Sequence, residues 1–192
     1  MISINHTNIY KINAYSVHLK NLTPEDKFSR FGHVSSDSTI DHLILNMCYS
    51  PDCHELWYAE VNDVRIGWGH MARNGDGSWE IAVSVQQDFQ RQGVGNKLIV
   101  EMLEWAKFHH ITEVYMHCIE DNKVIQHLAL KNALATRERG YGERTAAIEV
   151  PEPTLVENNT QLFKEQVEIM TEIAELRMRL ANLWLSPTHQ IN

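Results

Sequence analysis

Residues 90–95 read Q-R-Q-G-V-G and stand between the apolar run I-A-V-S-V of residues 81–85 and the sequence N-K-L-I-V-E-M-L-E-W-A-K of residues 96–107. The first run is typical of a strand, and the second has apolar residues at helical spacing. Glycines in a turn before a helix leave backbone amides open to an anion, and the helix dipole favours negative charge there. The stretch predicts either a phosphate-binding turn or a tight strand-to-helix connection.

The spacing of the two glycines excludes two common phosphate-binding motifs. A nucleoside-triphosphate loop requires Gly-x4-Gly-Lys-Ser/Thr, which the stretch lacks. A dinucleotide fingerprint requires a third glycine where Leu98 stands, and it follows the first strand of a parallel sheet. A pyrophosphate of another kind, bound at the start of the helix, remains compatible with the pattern.

The chain before this stretch predicts two helices and four strands. Residues 15–22, Y-S-V-H-L-K-N-L, alternate apolar and polar side chains and predict a half-buried strand. The sequence T-P-E-D of residues 23–26 predicts a helix start, because threonine caps, proline suits the first position and acidic groups favour the positive helix end. A second helix is predicted over residues 38–48, and an antiparallel meander over residues 56–61, 65–72 and 78–85.

The chain after the hexapeptide predicts a crossover unit. The helix is supported by apolar residues at helical spacing, which are Leu98, Ile99, Met102, Leu103 and Ala106. Next come a strand over residues 111–119, a helix over 121–135 and a last strand over 142–150. The strand over residues 78–85, the helix after the hexapeptide and the strand over residues 111–119 imply a crossover unit inside a mixed sheet.

The C-terminal segment differs in kind from the rest of the chain. Residues 157–185 contain no glycine or proline. One row of side chains alternates spacings of four and three, namely Leu162, Gln166, Ile169, Ile173, Leu176, Leu180 and Leu183. A long amphipathic helix is predicted, which could self-associate, pack on its own domain or dock a partner; a homodimer is our first expectation. We therefore expect one domain over residues 1–153 and a helical extension over 154–192.

Composition narrows the class of protein. The chain has 192 residues and a formal net charge of -8, with its acidic residues dispersed, which argues against a nucleic-acid partner. No apolar run is long enough to span a membrane. The first residues, M-I-S-I-N-H-T-N-I-Y-K, lack the pattern of a secretory signal, so a cytoplasmic location is expected.

Three cysteines are too few for a disulfide framework, and they fit a reducing compartment. Cys48 and Cys53 have a spacing looser than that of common zinc knuckles, and no second cysteine pair accompanies them. The histidines are scattered and form no H-E-x-x-H pair. No metal site is expected.

The hexapeptide nevertheless carries a specific resemblance. Gln/Arg-x-x-Gly-x-Gly/Ala, after a strand and before a long helix, resembles the acyl-coenzyme A signature of the GNAT N-acetyltransferase superfamily, and residues 90–95 match every position. The resemblance covers roughly residues 15–150 and implies an α/β fold of the α+β type, with a mixed, mostly antiparallel sheet flanked by helices. The long C-terminal amphipathic helix lies outside it. A second superfamily motif is half matched in residues 122–134, where Asn122 and Lys131 agree and Ala129 replaces a tyrosine.

The resemblance implies acetyl-coenzyme A as cosubstrate. The backbone amides of one run would hold its pyrophosphate, and Gln90 opens the same motif; the run comprises Arg91, Gln92, Gly93, Val94, Gly95, Asn96 and Lys97. The strand edge at Val83 and Val85 would pair with the pantetheine arm and polarise the thioester carbonyl. Asn122 would bond the arm, and Lys131 would reach the nucleotide phosphate.

The implied reaction is direct acetyl transfer to an amine in a ternary complex. The acceptor could be a small molecule, a peptide N-terminus or a lysine. The amine must be neutral to attack, and Glu80 resembles the carboxylate that serves as base in many superfamily members. Because Ala129 stands at the usual position of the acid, Tyr141 is the candidate to protonate the thiolate.

The resemblance also places four side chains at the border of the acceptor site, namely Phe28, Phe31, His54 and Trp57. The alternative function is a catalytically weakened coenzyme A-binding or scaffold protein that acts through its C-terminal helix. Consumption of the thioester in the presence of amines separates the two functions.

Overall fold

The computed structural model describes residues 1–7, 11–119, 136–139 and 143–185. Within these residues seven strands form one sheet. In chain order they are β1 (Ser3–Thr7), β2 (His54–Val61), β3 (Val64–Arg73), β4 (Trp79–Val85), β5 (Glu113–Ile119), β6 (Thr136–Arg139) and β7 (Glu143–Glu149). The described helices are α1 (Ile12–Lys20), α2 (Pro24–Phe31), α3 (Asp37–Tyr49), α4 (Val94–Phe108) and α5 (Leu155–Leu185).

The sheet is mixed and mostly antiparallel, as predicted. Its strand order is β1-β2-β3-β4-β5-β7-β6. Strands β2, β3 and β4 form the predicted meander, joined by tight turns. Strands β4 and β5 are the parallel pair, and α4 makes the crossover between them. The predicted strand–helix–strand unit is therefore confirmed.

Helices cover both faces of the sheet. Helix α4 buries its apolar side against β2, β3 and β4, where Leu98 and Met102 are fully buried. Helices α1 and α3 contribute to a second core on the opposite face, where Tyr15 and Ile40 pack with Trp68 of β3. The candidate site lies on this second face and at the start of α4.

A bulge in β3 lies next to Gly67, where α4 approaches the sheet closely. Ala59 pairs with Gly67 and Glu60 pairs with Arg65, so Ile66 is the extra residue. A Cβ atom on Gly67 would lie 3.1 Å from the Ser84 carbonyl oxygen and 3.3 Å from a methyl group of Val94. The missing side chain therefore allows the first turn of α4 to sit directly over the end of β4.

The predicted strand over residues 15–22 is wrong, because these residues belong to α1 and the segment after it. Side chains buried on this helix include Ile12, Tyr15 and Leu19, whose separations of three and four residues are helical. A strand would have placed Val17 in the core with Tyr15 and Leu19, whereas Val17 is 58% exposed. The alternation was accidental, and the period of the buried residues decides the structure.

The predicted start of α2 is confirmed in atomic detail. The Thr23 hydroxyl accepts a hydrogen bond from the Asp26 amide at 3.1 Å, and Pro24 occupies the first helical position. Gly32 ends the helix in the left-handed conformation, and its amide donates to the Phe28 carbonyl oxygen at 2.8 Å. These caps fix both ends of a short helix that lies against β4 and β5.

Four further predictions have different outcomes. The helix over 38–48 and the long C-terminal helix are confirmed as α3 and α5, and the last strand as β7. Strands β1 and β6 were not predicted, since both are short and rich in polar residues. The helix predicted over 121–135 lies outside the described residues.

The chain divides into two compact units, Met1–Glu152 and Pro153–Asn192. The first contains the sheet and α1 to α4, and the second contains α5. In the described part of the chain, no helix combines the length and the apolar character that crossing a bilayer requires.

Candidate active site

The hexapeptide forms a tight turn between β4 and α4. A short 3-10 turn, Gln87–Phe89, precedes it. Arg91 has a φ of +60° and Gly93 a φ of +81°, so the chain is left-handed at two nearby positions. A Cβ atom on Gly93 would have nothing within 4 Å, so the backbone conformation rather than space favours glycine there.

The side chain of Gln90 joins this turn to two other elements. Its amide nitrogen Nε2 donates to the Val85 carbonyl oxygen at 3.1 Å and to Asp26 Oδ1 at 2.9 Å. The two hydrogens of one amide group can serve both acceptors. Gln90 therefore connects the end of β4 to the first turn of α2.

The first turn of α4 presents backbone amides. Gly93 is the N-cap residue, and glycine has no side chain that could occupy these donors. The first helical hydrogen bond runs from the Lys97 amide to the Gly93 carbonyl oxygen at 3.1 Å, so the amides of residues 94–96 precede it. Val94 is buried in the core and anchors the turn, whereas Lys97 is exposed. The geometry suits an anion at the helix N-terminus.

The sheet opens beside this turn. Strands β4 and β5 pair at only two positions, Trp79 with Val114 and Glu80 with Tyr115. Strand β4 continues to Val85 in pairing with β3, and β5 continues in pairing with β7. Between described residues the parallel ladder thus ends at Glu80. The backbone of residues 81–85, which includes Val83 and Val85, borders the resulting gap.

Glu80, the predicted base, lies at the last residue pair of the parallel ladder. It is half-buried, and its register partners are Ala72 on β3 and Tyr115 on β5. Residues two apart on a strand share a face, so Glu80 lies on the same side of β4 as Ser84. A carboxylate at this point borders the gap between the strands.

A buried histidine contacts Ser84 from α1. Nε2 of His18 lies 2.9 Å from the Ser84 hydroxyl, and both residues are buried. The pKa of His18 is lowered to about 4, first by burial and then by the positive charge of Arg30, while Asp26 and Ser84 act in the opposite direction. His18 is therefore a neutral imidazole at neutral pH. Its Nδ1 has no hydrogen-bond partner among the described residues.

Two further histidines contact each other on the face of the sheet that bears Ser84. His54 Nδ1 and His70 Nε2 are 3.1 Å apart. Burial, the charge of Arg30 and the neighbouring His54 hold the pKa of His70 well below its usual value. Burial also lowers the pKa of His54, which is half-buried. Both imidazoles are neutral near pH 7, so one of them donates the hydrogen of their shared bond.

These residues, His18, His54, His70 and Ser84, form a polar cluster, and Arg30 of α2 is its cation. Its Nη2 donates to the Tyr15 hydroxyl at 3.3 Å. The ring of Tyr15 lies 5.7 Å from that of His70. Its positive charge acts on both His18 and His70, so Arg30 lies near the two histidines that flank β4 residues 82–84.

The structure brings together only part of the predicted site. Glu80, Val83 and Val85 lie on β4, and the predicted run of residues 90–97 forms the turn and the first turn of α4. Asn122, Ala129, Lys131 and Tyr141 lie outside the described residues.

Of the polar cluster, only His54 was predicted to lie near the site. His18 was assigned to a strand, where it would alternate away from the core. The helical period of Ile12, Tyr15 and Leu19 would have indicated that His18 lies beside the buried face of a helix. Arg30 and His70 had no local sequence signal, since their contacts are made across elements.

One of the expected border residues is on the wrong face. Trp57 is 2% exposed and packs edge-on against Trp105 of α4, with ring centroids 5.7 Å apart. It belongs to the core beneath α4, because its neighbours Leu56 and Tyr58 are the residues of β2 that face α1 and α3. The prediction that Trp57 borders the acceptor site is therefore wrong. His54, in contrast, lies in the polar cluster.

Among residues whose side chains are described, no group of three or more histidine, cysteine, aspartate or glutamate side chains could hold a metal ion. Cys48 and Cys53 are free thiols.

Comparison with known proteins assigns the fold and the turn to a family. A model of the Acetyltransferase (GNAT) family matches residues 18–133, more than half of the chain. The chain belongs to the GNAT acetyltransferase family. The matched range includes the hexapeptide and Glu80, so the resemblance is confirmed at the level of the family. No curated protein matches this acetyltransferase.

Solved GNAT structures share the fold of this acetyltransferase at low sequence identity. The GNAT domain of S. lividans PAT is 13% identical with a TM-score of 0.63, and the match covers 76% of this chain and 89% of that chain. Spermidine N-acetyltransferase from Vibrio cholerae, in complex with CoA and spermine, is 13% identical with a TM-score of 0.59, covering 77% and 93%. PaiA N-acetyltransferase from Thermoplasma acidophilum, in complex with coenzyme A, is 14% identical with a TM-score of 0.56, covering 78% and 99%. These similarities confirm the predicted fold class.

Proposed function

We propose that this acetyltransferase transfers the acetyl group of acetyl-coenzyme A to an amine by direct attack within a ternary complex. One observation carries the proposal. Strand β4 has an open edge after Glu80, and the uncapped start of α4 follows the far end of that edge at Val85, so an anion site and an open strand edge are neighbours. A cofactor with a pyrophosphate and an amide-bearing arm needs both. The neighbours that contain coenzyme A support the same cofactor.

The chain would hold this cosubstrate mostly through its backbone. The amides of residues 91–96 would donate to the pyrophosphate, with Gln90 holding the turn in place, whereas the predicted Lys97 amide already donates to the Gly93 carbonyl oxygen. The edge of β4 at Val83 and Val85 would donate to the arm and to the thioester oxygen. A fixed amide at that oxygen stabilises the negative charge that develops when the amine attacks. By family resemblance, Asn122 would bond the arm and Lys131 the nucleotide phosphate.

Glu80 would accept the proton that the amine loses. Attack by the amine nitrogen forms the amide bond and breaks the carbon–sulfur bond, and the leaving thiolate takes a proton from an acid. Thiols titrate near 8.5, so a thiolate is a tolerable leaving group and the acid contributes less than the base. Tyr141 is the candidate acid, proposed on its position in the sequence alone.

The cofactor assignment is tested by placing a carboxylate in the turn. Gly93→Asp puts a negative charge where the pyrophosphate would bind, while aspartate tolerates a left-handed backbone and is favoured at a helix N-terminus. We expect the dissociation constant for acetyl-coenzyme A, measured calorimetrically, to rise at least about tenfold, because like charges in one site repel strongly. Thermal stability should stay within about 1 kcal/mol of the wild type.

Gly77→Asp is the matched control. Gly77 also has a positive φ, +87°, and open space around its Cβ position, but it lies in the β3–β4 hairpin. Its affinity for acetyl-coenzyme A should equal that of the wild type. Equal affinities for both variants, or no saturable binding by the wild type at millimolar ligand, would contradict the cofactor site.

Transfer itself is tested by thiol release. Free coenzyme A should appear when the protein, acetyl-coenzyme A and a panel of amines and peptides are combined. Tight binding of the thioester without amine-dependent thiol release would instead favour a coenzyme A-binding or scaffold role.

We further propose that α5 forms a homodimer. Its exposed apolar side chains repeat at intervals of seven residues, as in Leu162, Ile169 and Leu176, and in Ile173 and Leu180. Such a heptad pattern is typical of helices that pair with one another. The free thiols Cys48 and Cys53 suit a reducing compartment, and we propose that the protein acts in the cytoplasm.

The dimer is tested in the full chain by light scattering. Ile169→Glu combined with Leu176→Glu places charges on the apolar stripe and should halve the measured mass. Arg177→Gln combined with Arg179→Gln changes the net charge equally at exposed polar positions and should leave the mass unchanged. A wild-type mass of one chain, or a double glutamate variant that remains a dimer, would refute the role of α5.

A further inference from the structure

Arg30 is a half-buried cation without an acidic partner. No carboxylate oxygen of the described residues lies within 4 Å of its guanidinium, and its one hydrogen-bond acceptor there is the neutral Tyr15 hydroxyl at 3.3 Å. Its Nε is buried and has no partner in the described part of the chain. A guanidinium has five donors, and a buried donor left unpaired costs about 1–3 kcal/mol. Among the described residues, no anion is present to pair with this guanidinium.

The surroundings of Arg30 do not neutralise its charge. The histidines that feel its charge from α1 and β3, His18 and His70, are neutral because burial lowers their pKa values. Asp26, one turn earlier on α2, already accepts hydrogen bonds from Gln90 and from Thr23. Lys27 pairs with Asp37 at 3.5 Å and adds no negative charge. No carboxylate oxygen of the described residues therefore pairs directly with the guanidinium, although the charge of Asp26 acts on the same histidine, His18.

Arg30 lies near the gap between β4 and β5, on the side from which the acceptor would approach. His18 contacts Ser84, and His70 is the register partner of Ala82, so both histidines flank β4 where the thioester would lie. Helix α2 lies against both β4 and β5, the two strands that part after Glu80. A molecule that approaches the gap from this face meets Arg30.

We propose that Arg30 binds a carboxylate of the acceptor, and that the acceptor is therefore an amino acid whose amine lies a few bonds from that carboxylate. The inference rests on the proposed acetyl transfer and specifies its substrate class. A planar carboxylate matches the guanidinium fork, and such charge-assisted bonds are about twice as strong as neutral ones. A polyamine would bring further positive charges next to Arg30, which is unfavourable.

The first test uses the wild-type protein and matched acceptors. Thiol release is measured with the common L-amino acids, with the corresponding L-amino acid amides and with spermidine. We expect kcat/KM for at least one amino acid to exceed that for its own amide by roughly ten- to a hundredfold, the range for hydrogen bonds to charged groups. The amine of an amide is the more easily deprotonated of the two, so intrinsic reactivity would give the opposite order.

The second test is a thermodynamic cycle that combines removal of the arginine by mutation with removal of the acceptor's carboxylate by amidation. Arg30→Gln should raise KM for the preferred amino acid by roughly ten- to a hundredfold, with a smaller effect on kcat. The same variant should change kcat/KM for the matched amide less than about threefold, since its carboxylate is already missing. Arg30→Lys keeps the charge without the fork and should lie between the two.

Arg73→Gln is the control for net charge, because Arg73 is exposed at the end of β3 and should leave both acceptors unaffected. Affinity for acetyl-coenzyme A should be unchanged in every variant. Equal or better use of amides or spermidine, with thiol release intact, would overturn this inference and leave the proposed acetyl transfer standing. If none of the amines gave thiol release, both this inference and the proposed acetyl transfer would be overturned.

Discussion

Acid should destabilise this protein through His18, whose ring is buried between α1 and β4. An unfolded chain binds a proton on this imidazole near the ordinary pKa of 6.5, whereas the folded protein does so only near about 4. Below 6.5 the unfolded state therefore holds more protons, and stability falls as the pH falls. The penalty grows through the window from 6.5 to about 4 and is complete below it.

The size of the effect follows from the two pKa values. At about 1.36 kcal/mol for each pH unit, the gap between 6.5 and about 4 corresponds to roughly 3 kcal/mol. Integrated between pH 7 and pH 5, the loss from His18 alone is roughly 2 kcal/mol. His70 has its pKa lowered in the same sense and adds to the acid sensitivity. Most domains have only about 5–15 kcal/mol of stability, so the loss is measurable.

The assay is urea unfolding, followed by tryptophan fluorescence, at pH 7 and pH 5. His18→Gln removes the titrating ring and keeps a polar side chain that can reach the Ser84 hydroxyl. The variant should lose about 2 kcal/mol less than the wild type between the two pH values, whatever its stability at pH 7. His42→Gln, at an exposed position on α3, should lose as much as the wild type. Equal losses for the wild type and His18→Gln would refute the buried neutral imidazole.

Three other substitutions probe the turn and the strand beside it. Glu80→Gln should lower kcat at neutral pH by roughly a hundredfold, within the usual range for removal of a general base, and leave acetyl-coenzyme A affinity unchanged; unaltered turnover would exclude Glu80 as base. Gln90→Leu breaks hydrogen bonds to α2 and β4 and should cost about 1–3 kcal/mol in urea unfolding, whereas exposed Gln87→Leu should be neutral. Gly67→Ala should cost about 1–3 kcal/mol by crowding the Ser84 carbonyl, and Gly75→Ala, with nothing within 4 Å, should not; equal midpoints would show that the sheet and α4 adjust freely.

The fold could be predicted from the sequence where the local hydrophobic pattern and the turn residues indicated the same element. The meander of β2, β3 and β4 followed from alternating runs and tight turns, and the crossover followed from a strand, a glycine turn and an amphipathic helix. The T-P-E-D start of α2 was readable because capping is a local interaction. Residues 15–22 failed because a short segment can fit a period of two by accident while its buried residues follow the helix.

The candidate site was predictable only where one segment contains it. The turn of residues 90–95 is contiguous, so its glycines and the following helix were visible together. The contact between His18 and Ser84 spans 66 residues, and that between His54 and His70 depends on the register of β2 with β3. The role proposed for Arg30 could not be predicted from the sequence, because it depends on the burial that keeps the neighbouring histidines neutral. Such relations arise from tertiary packing and leave no spacing in the sequence.

The double hydrogen bond of Gln90 has a consequence for engineering. Arg30, the proposed ligand of the acceptor's carboxylate, lies on α2. The first turn of that helix is connected through Asp26 to the Gln90 side chain, which also bonds the end of β4. Grafting α2 from a relative to change the acceptor would therefore disturb the cofactor turn unless an acceptor for the Gln90 amide were grafted with it. Asp26 and Gln90 are coupled by a hydrogen bond, so a library that varies α2 should keep both residues.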